Sequence, residues 1–242
     1  MNLRRNGALP LVIGHRGAAA VAPENTLASL RAAVDAGADL VEFDIGPDLQ
    51  LGHSPHEAPV DQISLDEALE YLREHHLGVH LDAKRPGYEH EIVAAVRRHG
   101  LGDRAVVSTA FSATTRTLAR IAPDLPRAIG YPRDRYGISR IRWPEGLTRT
   151  GAAALRRAMP LRVPVLLRWG RADTLSLHHT LCSPAAVRAS HALGAPVLGW
   201  TANEPAVVLR LAAAGVDGIV SDDPGMALET LHENLAATLA AQ

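Results

Sequence analysis

Short apolar runs alternate with helix-like segments along the whole chain, and this alternation restricts the fold more than any other feature. Residues 11–13, 40–45, 79–84, 105–108, 128–131, 174–178, 196–201 and 218–220 read as strands. Helical spacing of apolar residues predicts helices at 24–36, 64–76, 89–99, 113–121, 152–159, 185–193, 206–214 and 226–240. The second of these is signalled at its start, where Ser64 and Glu67 have the spacing of a capping box. Residues 133–149 are rich in Arg, Gly and Pro and predict a long loop, and Pro164 is placed to open another short helix. Eight strand–helix units in 242 residues predict an α/β chain folded as a (β/α)8 TIM barrel. A doubly wound open sheet is the rival. The barrel is preferred because the chemistry-bearing residues fall at the C-terminal ends of several different strands, where barrels build their sites. No linker or shift in composition divides the chain, so residues 1–242 are expected to form one domain with only a small insertion after the second strand.

Composition narrows the class of partner. Net charge is −1 with acids and bases interspersed along the chain, which argues against nucleic acid or an anionic membrane surface as a partner. No stretch approaches the length of a membrane span, so no stable membrane insertion is expected. Cys182 is the only cysteine, which rules out an intrachain disulfide and is compatible with a reducing compartment. Residues 1–10 carry Arg4 and Arg5 but no apolar h-region, and a cytoplasmic location is expected. Lys84 is the only lysine against a background of arginines. An ammonium is a compact, strongly hydrated charge that a planar guanidinium does not replace, so Lys84 is a site candidate on chemistry alone.

The chemistry-bearing residues are concentrated at strand ends. The first strand runs into Gly14-His15-Arg16-Gly17, and the second contains Glu42-Phe43-Asp44. Residues two apart in a strand face the same way, so Glu42 and Asp44 point together. Two carboxylates on one face repel, and a hard cation held by oxygen ligands relieves the repulsion. Asp82 and Lys84 share a face in the same manner on the third strand.

The order of Gly14-His15-Arg16-Gly17, Pro23-Glu24-Asn25-Thr26 and Glu42-Phe43-Asp44 resembles the opening of the glycerophosphodiester phosphodiesterase family. Asp82-Ala83-Lys84, Trp200-Thr201-Ala202-Asn203 and the run from Gly215 to Asp222 resemble later motifs of the same family. The resemblance implies hydrolysis of a small-molecule glycerophosphodiester to glycerol 3-phosphate and an alcohol. It implies His15 and His53 as catalytic histidines. It also implies Glu42, Asp44 and Asp82 as ligands of one divalent cation, Mg²⁺ or Ca²⁺. Arg16 and Lys84 would bind phosphate, and Trp200 would line the pocket. The nucleophile is either water or a neighbouring hydroxyl of the substrate.

Three departures from the family pattern are visible. Ser54 follows His53 where an aspartate is usual, and the connection from Gly46 to Ser64 is shortened. Asp82 stands where glutamate is usual, which shortens the reach by one methylene. Two other readings are compatible with the sequence. One is a lysophospholipase D or sphingomyelinase D-like phosphodiesterase. The other is a degenerate barrel that binds phosphodiesters without turnover. Asp217 and Asp222 are expected in structural turn and capping roles.

Overall fold

The computed structural model describes residues 1, 3–5, 9–52, 61–133 and 145–240, the side chains of 145–150 apart. Eight strands alternate with eight helices among them. The first half comprises β1 (Leu11–Gly14), α1 (Leu27–Asp35), β2 (Leu40–Ile45), α2 (Leu65–Glu74), β3 (Gly78–Ala83), α3 (Glu89–Arg98), β4 (Ala105–Thr109) and α4 (Ser112–Ile121). The second comprises β5 (Arg127–Tyr131), α5 (Glu145–Gly170), β6 (Thr174–His178), α6 (Pro184–His191), β7 (Val197–Trp200), α7 (Pro205–Ala214), β8 (Gly218–Ser221) and α8 (Pro224–Ala240). Every strand pairs in parallel with the next, and β8 returns to β1 with Leu11 opposite Gly218. The sheet therefore closes into the (β/α)8 barrel that the alternation predicts.

Alternation along each strand separates two packing layers. Val41, Phe43 and Ile45 of β2 face the helices and join Leu30 and Leu69 in one buried cluster. Ile13, Leu40, Val106, Ala128, Leu198 and Val220, drawn from six strands, fill the barrel interior, and Leu3 joins them from ahead of β1. Glu42 and Asp44 continue the Leu40 face toward the C-terminal end of β2. The interior is thus apolar below and carboxylate-lined above.

An aspartate immediately before three of the even-numbered strands ties down the neighbouring odd one. Asp39 accepts from the Val12 amide at 2.7 Å, Asp173 from Arg127 at 2.9 Å and Asp217 from Val197 at 2.8 Å. Parallel strands leave amides at their N-terminal ends without ladder partners, and a short acidic side chain satisfies them. Asp217 also accepts from the Arg5 amide, so its role is structural as expected.

Two elements differ from the sequence reading. Helix α1 starts at Leu27 rather than at 24, because Thr26 is extended (φ −115°) and caps the helix reciprocally with Ser29. This releases Glu24 and Asn25 to the barrel mouth. Helix α5 is a continuous 26-residue helix containing Pro160 and Pro164, where a loop and two short helices are predicted. Each interior proline costs about 3 kcal/mol. Met159, Val163 and Leu167, all buried at i, i+4, i+8 spacing, hold the helix against the barrel across both. Burial of that stripe contributes about 1.5–3 kcal/mol per side chain, which over three side chains is of the same size as the cost of the two prolines. Among the described residues no helix is long and apolar enough to cross a membrane.

Candidate active site

Glu42, Asp44 and Asp82 meet at the C-terminal end of the barrel. Asp44 and Asp82 are direct partners in the β2–β3 register. One carboxylate oxygen from each of the three lies within 4.8 Å of the others. Asp44 is fully buried and Glu42 nearly so. Each acid is held from outside the cluster. The Ser108 hydroxyl donates to Asp82 Oδ1 at 2.7 Å, the Arg16 amide donates to Glu42 Oε2 at 2.8 Å, and the Asp44 amide donates to Asn25 Oδ1 at 3.0 Å. Asn25 does this from a left-handed backbone (φ 59°) that asparagine tolerates better than most residues.

Two cations sit against these acids. Lys84 Nζ lies 2.5 Å from Asp44 Oδ1 and 2.5 Å from Asp82 Oδ2. Burial alone would lower its pKa, but Asp82 and Asp44 outweigh that and raise it above the ordinary lysine value. Arg16 Nε lies 3.1 Å from Asp44 Oδ2, while its Nη1 donates to both Glu24 oxygens at 2.7 Å. The guanidinium is thereby aimed across the mouth.

His15 stands on the other side of Glu42. Its Nδ1 donates to Asp222 Oδ1 at 2.5 Å, and its Nε2 lies 3.9 Å from Glu42 Oε2. Burial works against protonation of the ring, yet the Glu42 charge and the Asp222 hydrogen bond prevail and raise its pKa above 6.5. Asn203 fixes Asp222 in turn, donating to Oδ2 and accepting from the Asp222 amide at 3.0 Å. Asp222 therefore corrects the sequence reading: it orients an imidazole rather than capping a turn.

The glycines around His15 serve packing. Gly17 has φ +86°, and a Cβ there would overlap the backbone and hydroxyl of Ser29 on α1. At Gly14 a Cβ would overlap the Gly17 carbonyl. The frame brings the His15–Arg16 turn down onto α1, which fixes where both side chains leave the backbone.

The donor set fits a hard divalent cation. It offers only carboxylate oxygens, the preference of Mg²⁺ and Ca²⁺. Burial pushes the Glu42 pKa up to about 7; His15 opposes the shift and Asp44 adds to it. A cation among the three acids would reverse that penalty.

A sequence profile of the glycerophosphoryl diester phosphodiesterase family matches residues 15–46 and 81–226. The chain belongs to that family. Membership makes it a phosphodiesterase, and hydrolysis of glycerophosphodiesters is the family reaction. A glycerophosphodiester phosphodiesterase of Caldanaerobacter subterraneus is 24% identical over 260 residues, covering 88% of this chain and 94% of its own. A structure from Silicibacter pomeroyi, described as a candidate glycerophosphoryl diester phosphodiesterase, superimposes with TM-score 0.75 at 23% identity, covering 96% of each chain. An Oleispira antarctica phosphodiesterase, solved with its product sn-glycerol-3-phosphate, superimposes with TM-score 0.70 at 22% identity, covering 93% of this chain and 97% of that one.

The family match takes in seven of the eight expected site residues, and the geometry gathers six of these, His15, Arg16, Glu42, Asp44, Asp82 and Lys84, at one mouth. Trp200 ends β7, half-buried, with the His178 ring edge-on to it at 5.1 Å. The interval passed over by the family match includes His53 and Ser54, and both lie outside the described residues. Ser108, Asn25 and Asn203 support the site and are not among the expected residues. Ser108 was available from register, since strand alternation puts it beside Asp82.

Proposed function

We propose that this member of the family hydrolyses glycerophosphodiesters to glycerol 3-phosphate and an alcohol at one divalent cation, Mg²⁺ or Ca²⁺, held by Glu42, Asp44 and Asp82. The observation that carries this reading is His15, set between Asp222 and the carboxylate cluster with its Nε2 toward Glu42. When bound, the cation would polarise the phosphoryl oxygens and counter charge that develops on them.

The remaining work falls to side chains. Arg16 and Lys84 present fixed positive charge to the phosphate, Arg16 with fork geometry and Lys84 as a point charge. Asp222 takes up Nδ1 of His15, so proton transfer to or from the substrate occurs at Nε2. The raised pKa favours the protonated imidazole, which suits donation to the departing alkoxide oxygen. His53 is assigned the complementary proton transfer. The attacking oxygen belongs to water or to the neighbouring glycerol hydroxyl. Trp200 lines the side of the pocket that receives the substrate.

Glycerophosphocholine turnover with and without a chelator tests the proposal. Release of glycerol 3-phosphate that stops on chelation and returns with Mg²⁺ or Ca²⁺ is expected. Full turnover after exhaustive chelation, or none with either cation, would refute it.

A further inference from the structure

Charges that look interspersed along the chain are segregated around the barrel. Helix α2 carries Asp66, Glu67, Glu70 and Glu74 against a single arginine. Helices α4, α5 and α6, consecutive on the opposite side, have no Asp or Glu among their described side chains. Arginine is their charged residue throughout. The outer face of α5 adds an apolar component. Leu161, Val165 and Trp169 are 81%, 65% and 67% exposed, and they are three of the six exposed large apolar side chains among the described residues. Their i, i+4, i+8 spacing aligns them in one stripe. Helical geometry sets Arg157 and Arg168 along one border of the stripe and Arg162 along the other, all three exposed. Arg116 of α4 lies over the Trp169 ring at 5.2 Å and leaves most of it open.

From this arrangement we infer that the outer face of α5 docks onto an anionic phospholipid surface. An isolated exposed leucine needs no explanation, but a contiguous apolar stripe on a soluble face marks an interaction site. The charge pattern chooses the occupant. Two copies joined through this face would oppose the same arginines across a two-fold axis, at a repulsive cost. Nucleic acid would satisfy the arginines and leave Leu161 and Val165 against a charged backbone. A bilayer interface satisfies both parts: headgroup phosphates pair with guanidinium groups, aliphatic side chains enter the acyl boundary, and tryptophan sits at the interface. Helix α5 is not apolar enough to cross a membrane, so it would lie in the interface plane. The acidic face at α2 would point away, which orients the barrel on the surface.

Co-sedimentation of the intact protein with vesicles tests the inference. Binding to mixed phosphatidylcholine–phosphatidylglycerol vesicles, weak binding to pure phosphatidylcholine and release by salt are expected. The double variant Leu161→Ser/Trp169→Ser should weaken binding by at least about tenfold. Arg157→Gln and Arg168→Gln should each weaken it about fivefold. All four positions are exposed, so an unchanged circular dichroism spectrum and thermal melt separate loss of docking from loss of fold. Equal binding to both vesicle types, or variants that bind like the parent, would overturn the inference. So would a dimer seen by analytical ultracentrifugation and abolished by the Leu161/Trp169 variant, or tighter binding to an oligonucleotide than to the anionic vesicles.

Discussion

The 2.5 Å hydrogen bond from His15 Nδ1 to Asp222 Oδ1 joins the turn after β1 to the end of β8, across the seam that closes the barrel. Both residues sit beyond paired strands, so their separation is fixed by barrel closure rather than by a flexible loop. A carboxylate in this position sets the tautomer and orientation of the ring and favours its protonated form.

Asp222→Asn is therefore expected to lower kcat/KM by about ten- to a hundredfold. It should also move the pH profile. Asp222 raises the His15 pKa, so its loss lowers that pKa and shifts the corresponding limb toward lower pH. A purely structural Asp222 would reduce activity and leave the limb in place, so kcat/KM against pH decides between the two.

The carboxylate cluster predicts proton-linked cation binding. With the Glu42 pKa near 7, the carboxyl carries a proton below that pH, and a cation must displace it. Affinity is expected to rise with pH by up to about tenfold per unit and to level off above about pH 7. Glu42→Gln should flatten this dependence, and Asp44→Asn should weaken binding at every pH. Asp82→Glu should retain cation binding. Calorimetric titration across pH checks all three; affinity unchanged in both Glu42→Gln and Asp44→Asn would remove these residues from the ligand set.

Lys84 sits between two carboxylates at 2.5 Å each, a gap that a point charge fills. A guanidinium is broader and planar, so Lys84→Arg is expected to displace Asp44 or Asp82 despite conserving charge. A loss of about tenfold in kcat/KM, equivalent to about 1.4 kcal/mol, is expected for glycerophosphocholine. Turnover equal to the parent would mean that the lysine has no part in the site.

Much of this site was legible because strand alternation converts sequence spacing directly into geometry. Glu42 with Asp44, and Asp82 on the next strand, needed only the period of two and adjacent strands. Asp222 was misread because its partner is 207 residues away. Barrel closure makes that contact, and no local pattern encodes it. Helix α5 was misread for a different reason: its two prolines signal breaks locally, and the buried Met159–Val163–Leu167 stripe that overrides them acts through tertiary packing. The segregation of charge between α2 and α4–α6 is likewise a property of the closed ring, hidden when the chain is read as a line.

His80 was also missed, and it carries the last prediction. It faces the barrel interior two residues before Asp82, 3% exposed, and neither ring nitrogen has a hydrogen-bond partner among the described residues. Burial lowers its pKa to about 4, with the Asp82 carboxylate pulling the other way. Because the folded pKa lies below the unfolded value of about 6.5, the unfolded chain binds the extra proton as pH falls through that window. The contribution of neutral His80 is thus present above about pH 6.5 and is lost as pH falls toward about 4. Between about pH 7 and 5 the loss amounts to about 2 kcal/mol. Glu42, whose pKa is raised, works in the opposite sense, so the raw stability curve of the protein mixes the two. Comparison with His80→Leu isolates the histidine, since Glu42 is common to both proteins. In chelator, denaturant unfolding should show the variant gaining about 2 kcal/mol on the parent between about pH 7 and 5. A stability difference that stays constant with pH would mean that His80 titrates in the folded protein as it does in water.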